Sequence, residues 1–572
     1  MLMHRRKNQR PNIFRIKMKH PNVIAVPGVN QQNEAAKTRI AGVWSEFCTH
    51  SSIHCISYFV DRKRHWIERV WWICAFLLLV CLCINSIFSV WWRWRENLVI
   101  ISLSHKPMSI GEVPFPAMTI CPETKTCARI FNYTDVYRSM FKLDGAKSRN
   151  ISDEELQLMK IINQICEESR QERVFKFFTD EYSDPNILST ISRMAPKFED
   201  TVVRCRLFDE WKSCDKFLYP TITEEGLCYS FNALSMEEIF TNEFAPDFFD
   251  ISRNQSFSNW NMEFGYSLQP KDIEPYPIRV YGTGKQSSFT VLLRIHNEDI
   301  DHVCGGAIQG FKLTFHPPHE GPQISKRYYH VSPGRTMLFT ISPNLILTSP
   351  DVRKYSPQVR GCFFDSERRL RFYKMYTQRN CEMECLSNFT LAQCGCVEFS
   401  MPRSKFWRIC GASKIDCSIM AANNIFPTGS YDNCNCLPAC KSLIYDADIT
   451  QADYDLVSFY SKSSYQPNFS FHDSTFSRVV ISFKEELFTP SRRLEYYNFS
   501  NFLANSGGLF GLFMGASLLS FIELIYYFTL RVFFTRRKQK RIHDADSNTS
   551  LSLKKQNKKM ELLKKRLAIP SY

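Results

Sequence analysis

The 572-residue chain has no Gly-x-Ser-x-Gly elbow, no His-Glu-x-x-His and no phosphate-binding loop, so no motif assembles a catalytic nucleophile, a zinc hydrolase centre or a nucleotide cradle. His316-Pro-Pro-His319-Glu320 brings two histidines near an acid. Its two prolines deny it the helical face such a zinc site uses, and it reads as a rigid loop. No catalytic residue, metal site or cofactor is expected. The folded body also lacks the positive charge that a net +15 first suggests. Residues 1–65 carry 12 Lys+Arg against 3 Asp+Glu, residues 535–572 carry the same, and the stretch between them is left with a net −3. An excess confined to two tails argues against nucleic acid and fits the anionic inner face of a bilayer. No internal repeat or long low-complexity linker breaks the chain, and no cysteine follows Cys440.

What is present sets the class. Val70 to Trp92 is free of charge and longer than the roughly 20 residues a helix needs to cross the hydrocarbon core. A second apolar segment, Phe502 to Leu530, contains one acid, Glu523. Trp91, Trp92 and Trp94 after the first, and Tyr526 and Tyr527 late in the second, fit the aromatic belt at headgroup depth. Arg62, Lys63 and Arg64 precede the first segment and Arg536, Arg537 and Lys538 follow the second, which predicts both tails in the cytosol despite Arg93 and Arg95 on the far side. A basic stretch before the first span and the lack of a small-residue cleavage site after it argue against a signal peptide.

Of 22 cysteines, five (Cys48, Cys55, Cys74, Cys81, Cys83) lie at or before the first span and 17 lie between Cys121 and Cys440. That density in one loop implies an oxidising compartment. Candidate glycosylation sites in the same loop are Asn132, Asn150, Asn254, Asn388 and Asn468. Asn498 is too near the membrane, and Asn548 lies in the cytosolic tail. Val113–Cys121 reads as a strand entering the folded body. Ser152-Asp-Glu-Glu155 reads as a capping box opening a helix through Leu156, Met159, Ile162 and Cys166. Residues 282–339 read as mostly β, and Ser477–Phe483 as a strand leading toward the second span.

Ten cysteines fall between Cys362 and Cys440. Cys381 and Cys385, four apart on a helix, put both sulfurs on one face about 6 Å apart. Cys434 and Cys436, two apart in an extended segment, do the same at about 6.7 Å. An antiparallel helix and strand would join Cys381 to Cys436 and Cys385 to Cys434, a ladder that stiffens the connection to the membrane. Cys394-Gly-Cys396 also resembles a zinc-ligand pair, which an extracellular location disfavours.

The second span carries Gly507, Gly511 and Gly515 as a small-residue ridge, with tight helix packing as the plain reading. Treated as one helix, Asn505, Ala516, Ser520 and Glu523 form a polar stripe. An acid there costs roughly 2.5–3.5 kcal/mol unless it meets water or a partner, so the stripe points to a pore lined by several copies.

With these residues laid out, the chain resembles the degenerin/epithelial sodium channel family, which includes the acid-sensing channels, and most closely its pickpocket branch. The similarity spans about Phe47 to Phe534. It is carried by Phe115-Pro-Ala-Met-Thr-Ile-Cys121, Gly226-Leu-Cys-Tyr-Ser-Phe-Asn232, the Cys362–Cys440 array and Gly515-Ala-Ser517-Leu. The resemblance implies an α+β membrane protein of acid-sensing-channel type, in which two transmembrane helices flank a large disulfide-rich β-core extracellular domain with helical finger and thumb. The expected segments are a cytosolic tail (1–65) containing the His54 motif, a first span (66–92), an ectodomain (93–500, thumb about 355–440), a second span (501–531) and a basic cytosolic tail (532–572).

By the same resemblance, Gly515, Ala516 and Ser517 match the selectivity filter, where the second helix breaks. Ala504 matches the position at which a bulky side chain holds the gate open, and Asn505, Gly508, Ser520 and Glu523 join it in the pore. Implied disulfides are Cys121–Cys228, Cys205–Cys214, Cys362–Cys440, Cys394–Cys417 and Cys396–Cys410, together with the two ladder rungs. Cys127, Cys166 and Cys304 are left over. The family's His-Gly pair before the first span is His54-Cys55 here, and cysteine strains a backbone suited to glycine. The function implied is a subunit of an amiloride-sensitive, sodium-permeable homo- or heterotrimer in the plasma membrane, opened by an extracellular ligand or other stimulus, with sodium as the permeant ion. The rivals are a non-conducting regulatory subunit, suggested by Cys55, and a two-span receptor without a pore.

Overall fold

The computed structural model describes residues 42–61, 63–96, 98–142, 150–166, 174, 176–245, 247, 258–267, 275–425, 434–463 and 473–566; Arg62, Asn254 and Asn468 lie outside them. The chain forms two compact units, residues 98–496 and the flanking segments 1–97 with 497–572.

The 98–496 unit is built on two sheets. The larger has eight strands. In order they are Val99–Leu103, Ser491–Glu495, Arg335–Thr348, Ser474–Phe483, Phe289–His296, Val202–Leu207 and Glu210–Lys212, with Ser442–Asp453 paired to Arg335–Thr348. The second runs Tyr329–Val331, Phe311–His316, Ala117–Pro122, Gly226–Phe231 and Leu218–Thr223. β-branched and aromatic residues fill the facing sides of both, so Val291, Leu293, Phe339 and Ile481 of one share a core with Met118, Ile120, Phe231 and Phe311 of the other. Phe231 and Phe289 stack across it at 3.9 Å.

A second core gathers helical segments, among them Tyr133–Met140, Asp153–Ile162, Ile187–Met194 and Ile415–Ile425. The capping box is present: Ser152 Oγ accepts from Glu155 N at 3.2 Å, and Glu155 accepts from Ser152 N at 3.0 Å. Ser474–Phe483 pairs centrally and does not run on to the second span. Ser491–Glu495, antiparallel to Val99–Leu103, is the strand that precedes it. The helix Gln378–Cys394 carries Cys381 and Cys385, joined to Cys436 and Cys434. The return segment differs from expectation. Asn435 sits at φ 48°, so Cys434–Cys436 is a turn and not a strand, and that turn presents both sulfurs to the helix.

At the second sheet, buried Lys125 and Glu123 meet half-buried Glu225 and Lys312. Burial alone pushes Glu225 up, but Lys125 and Lys312, each 2.6 Å away, overrule it and hold its carboxyl at about 2.

The flanking unit contains α1 (42–50), α2 (Ile56–Val60), α3 (Trp66–Glu96), α4 (Phe499–Met514), α5 (Leu518–Tyr526) and α6 (Val532–Arg566), with a π turn, Tyr527–Arg531, before α6. α3 and the helical run from Leu518 are long and apolar enough to cross a membrane. Only Cys83 and Val90 of α3 are buried within the chain, so most of this apolar helix faces lipid or other helices. Trp94 of α3 stacks on Phe502 of α4 at 5.5 Å.

Two outcomes test this architecture. Cys381→Ser with Cys436→Ser frees a loop of 55 residues and lowers stability by about 2–4 kcal/mol, read as a drop in melting temperature of the purified protein; an unchanged melt contradicts the ladder. Glu225 lies below its ordinary 4.5 in the fold, so its contribution is complete above that pH and lost as pH falls toward 2. Glu225→Gln therefore melts lower at neutral pH and loses less on acidification than the wild type does.

Candidate functional site

The second apolar segment is two helices, and the polar stripe of a single helix does not exist. α4 ends at Met514, and Gly515 follows at φ 63°. Left-handed backbone of this kind suits glycine. Gly515 N donates back to Gly511 O at 3.0 Å, and the chain re-enters a helix at Leu518, with Ser517 as its cap and Ser517 N bonded to Ser520 Oγ at 3.0 Å. Ala516 spans the gap. Among the described residues no backbone donor reaches the carbonyls of Gly515 or Ala516.

The break is braced by the segment between α1 and α2. His54 N donates to Met514 O at 3.0 Å, satisfying one of the carbonyls a helix end leaves open. The His54 ring lies over Gly515 so closely that a Cβ there would sit 2.7–2.8 Å from three ring atoms. Gly515 is thus required twice, by its dihedrals and by its neighbour.

Ser52 completes the brace. Its Oγ lies 2.7 Å from Ser520 Oγ and donates to Glu523 Oε2 at 3.0 Å, and its N donates to the same oxygen at 3.3 Å. Ser520 is buried and Glu523 half-buried. The partner that an acid in this span needs is therefore, for one carboxylate oxygen, the chain itself. Oε1 accepts no hydrogen bond among the described residues.

Cys55 stands at φ 73°, ψ −24°, heading α2, and a non-glycine residue there costs about 1–2 kcal/mol. The whole segment is anchored through α1. Phe47 and Cys48 are buried with Ile56, Phe47 meets Tyr527 edge-on at 5.5 Å, and Glu46 pairs with Arg531.

The remaining expected site residues lie along α4. Asn505 bonds Tyr497 and is exposed, as is Ala504. A Cβ placed on Gly507 or Gly508 would meet nothing within 4 Å, so these glycines are not packed against α3. Ser506, on the opposite side, is the buried residue of this helix.

In the other unit, disulfides join Cys121–Cys228, Cys205–Cys214, Cys362–Cys440, Cys394–Cys417 and Cys396–Cys410. An eighth joins Cys166 to Cys304, leaving Cys127 as a buried free thiol. Cys394 and Cys396 are bonded to different partners and form no zinc pair. Asn132, Asn150 and Asn388 are exposed. Asn132 also caps Tyr133–Met140 by accepting from Asp135 N at 3.0 Å. Reasoning from sequence missed the roles of Ser52, Glu46 and Phe47. Their partners lie 468 to 485 residues away, and no local pattern reports such a pairing.

The sequence profile described as "Amiloride-sensitive sodium channel" matches residues 47–527. Pickpocket protein 28 of Drosophila melanogaster is 27% identical over 509 residues, covering 87% of this chain and 80% of that one. The sodium channel protein Nach of Drosophila melanogaster is 22% identical over 500 residues, covering 85% and 87%. A cryo-EM structure of a proton-activated chloride channel aligns with 80% of this chain and 95% of its own at a TM-score of 0.26 and 8% identity, a likeness too slight to build on. The profile match takes in the His54 brace, both sheets, all eight disulfides and the break at Gly515. The chain belongs to the amiloride-sensitive sodium channel family, the degenerin/epithelial sodium channels, whose members are multi-subunit ion channels and not enzymes, and it is a sodium channel subunit.

Proposed function

We propose that three copies of this chain, or this chain with related subunits, enclose a sodium-permeable pore in the plasma membrane. Both tails lie in the cytosol, amiloride blocks the pore, and an extracellular stimulus opens it. The observation that carries this reading is the break at Gly515–Ser517, held by His54 and Ser52 of the same chain while Gly507, Gly508 and Ala504 stay uncovered. A helix C-terminus carries a partial negative charge of roughly half an electron. The end of α4 and the carbonyls of Gly515 and Ala516 would offer a sodium ion oxygen ligands without a full counter-charge to trap it.

Several copies of this break around an axis form a short oxygen-lined constriction, the selectivity filter of Gly515, Ala516 and Ser517. Above it, Ala504, Asn505 and Gly508 line the gate, where small side chains allow close approach of neighbouring α4 helices. Below it, the open oxygen of Glu523 borders the ion path, whereas Ser520, expected in the pore, is buried against Ser52 of the same chain and stays behind it. No cofactor takes part, and Asn132, Asn150 and Asn388, with Asn254 and Asn468, carry glycans on the outer domain.

Ala504→Val is expected to hold the gate open by steric crowding, giving a standing, amiloride-blocked sodium current when expressed alone or with related subunits. No current in either setting would sink the pore and favour a two-span receptor.

Cys55 supports a second reading, a regulatory subunit that conducts poorly by itself, because its left-handed backbone strains the brace under the filter. Cys55→Gly removes that strain and is expected to raise homomeric current several-fold, in keeping with about 1–2 kcal/mol. Equal currents from both forms at equal surface expression would remove Cys55 as an obstacle to conduction.

A further inference from the structure

α6 (Val532–Arg566) continues the helix that begins at Leu518, and its two halves carry different chemistry. The first turns hold Arg536, Arg537, Lys538, Lys540 and Arg541 directly after the apolar run, where anionic headgroups can meet them. From Ser547 to Arg566 the same helix carries seven Lys+Arg against the single acid Glu561. In that stretch Leu551, Leu553, Met560 and Leu562 are each more than half exposed.

These four side chains do not share a face. At about 100° per residue, Leu551 and Leu562, eleven apart in sequence, fall within about 20° of one another, and so do Leu553 and Met560, seven apart. The two pairs are separated by about 160–180°, on opposite sides of the helix. Lys554, Lys555, Lys558 and Lys559 occupy the turns between them.

A bilayer, a second copy of the chain and a cytosolic partner could each cover a basic helix with exposed apolar residues, and the first two fit poorly. A bilayer surface buries one face of a helix and leaves the other in water. This stretch also stands off the membrane. At 1.5 Å per residue, a helix continuous from Arg536 carries Leu551 about 22 Å and Leu562 about 39 Å further along its axis, against a screening length of about 8 Å. A parallel bundle of copies seals one apolar stripe, and it would set the seven cations of each chain beside those of the next. The arrangement calls instead for negative charge and for apolar contact from two sides.

We propose that Ser547–Arg566 is the docking segment for an acidic, two-lobed calcium-sensor protein. One lobe closes on Leu551 and Leu562 and the other on Leu553 and Met560. Calcium opens a methionine-rich apolar groove in each lobe of such a protein, and a basic helix with apolar anchors is its complement. α6 is joined through the π turn Tyr527–Arg531 to the helix that follows the break at Gly515, so a grip on its far end loads that helix and makes the channel answer to cytosolic calcium. The inference rests on the reading of this tail as cytosolic.

The test titrates the purified full chain, in nanodiscs of neutral lipid, with calmodulin as the probe, first in calcium and then in EGTA. Calcium-dependent binding of one calmodulin per tail is expected. Leu551→Ala with Leu562→Ala, and separately Leu553→Ala with Met560→Ala, should each weaken it about tenfold or more. Lys554→Gln with Lys558→Gln should weaken it and flatten its salt dependence. All six side chains are exposed, so these variants leave the fold intact. The proposal is overturned if the wild type ignores calmodulin, or if either apolar pair can be removed without loss, since one groove then suffices. It is also overturned if phosphatidylserine nanodiscs shield the tail from trypsin while calmodulin does not bind, which assigns the segment to the bilayer. Cross-linking of Leu553→Cys tails to one another, again without calmodulin binding, assigns it to a second copy and overturns the proposal equally. The cytosolic reading fails by a separate sign: a tag placed after Tyr572 and reached by antibody on intact cells removes the partner whatever the titration shows.

Discussion

A helix that stops inside a membrane leaves its last carbonyls without partners, and lipid supplies none. The arrangement around Gly515 follows from that constraint. The left-handed turn lets Gly515 N satisfy Gly511, His54 N satisfies Met514, and Ser517 with Ser520 starts the next helix. The carbonyls that remain, at Gly515 and Ala516, meet no backbone donor among the described residues. Ser52 and His54 thus tie a segment before the first span to the middle of the second. Cys55, at φ 73°, is the residue of that segment with left-handed backbone.

The outer unit meets a different constraint. It has two sheets whose shared core is apolar, yet it holds a quartet of charges, Glu123 and Lys125 buried and Glu225 and Lys312 half-buried. Two cations around Glu225 are enough to reverse the effect of burial on it. The eight disulfides fall mostly in the helical parts, and six of the sixteen bonded cysteines sit on the two helices Gln378–Cys394 and Ile415–Ile425 or pair with them at the Cys434 turn. Antiparallel pairing of Val99–Leu103 with Ser491–Glu495 places the strand that follows the first span beside the strand that precedes the second, so a displacement of one is shared by the other.

Much of this was legible in order along the chain. The charge-free run at Val70–Trp92, the Ser152 capping box, the β-rich 282–339 stretch and the crowding of cysteines before Cys440 each report a local or compositional rule, and those rules act over a few residues. Where the reading failed, a local rule was carried past its range. The stripe of Asn505, Ala516, Ser520 and Glu523 assumed one unbroken helix, and the left-handed residue at Gly515 resets the phase of everything after it. Cys434–Cys436 was read as a strand because a period of two brings sulfurs to one face, and the turn at Asn435 achieves the same presentation by another path.

Sequence by itself determined that two apolar segments enclose an oxidised, cysteine-rich body with basic tails, because hydropathy, charge and redox chemistry are properties of residues before they fold. Only the tertiary structure decided that Ser52 is the partner of Glu523 and that Cys166 meets Cys304 and leaves Cys127 alone. Those facts depend on which distant segments come together, and the free energy of such contacts is not written in any window of neighbouring residues.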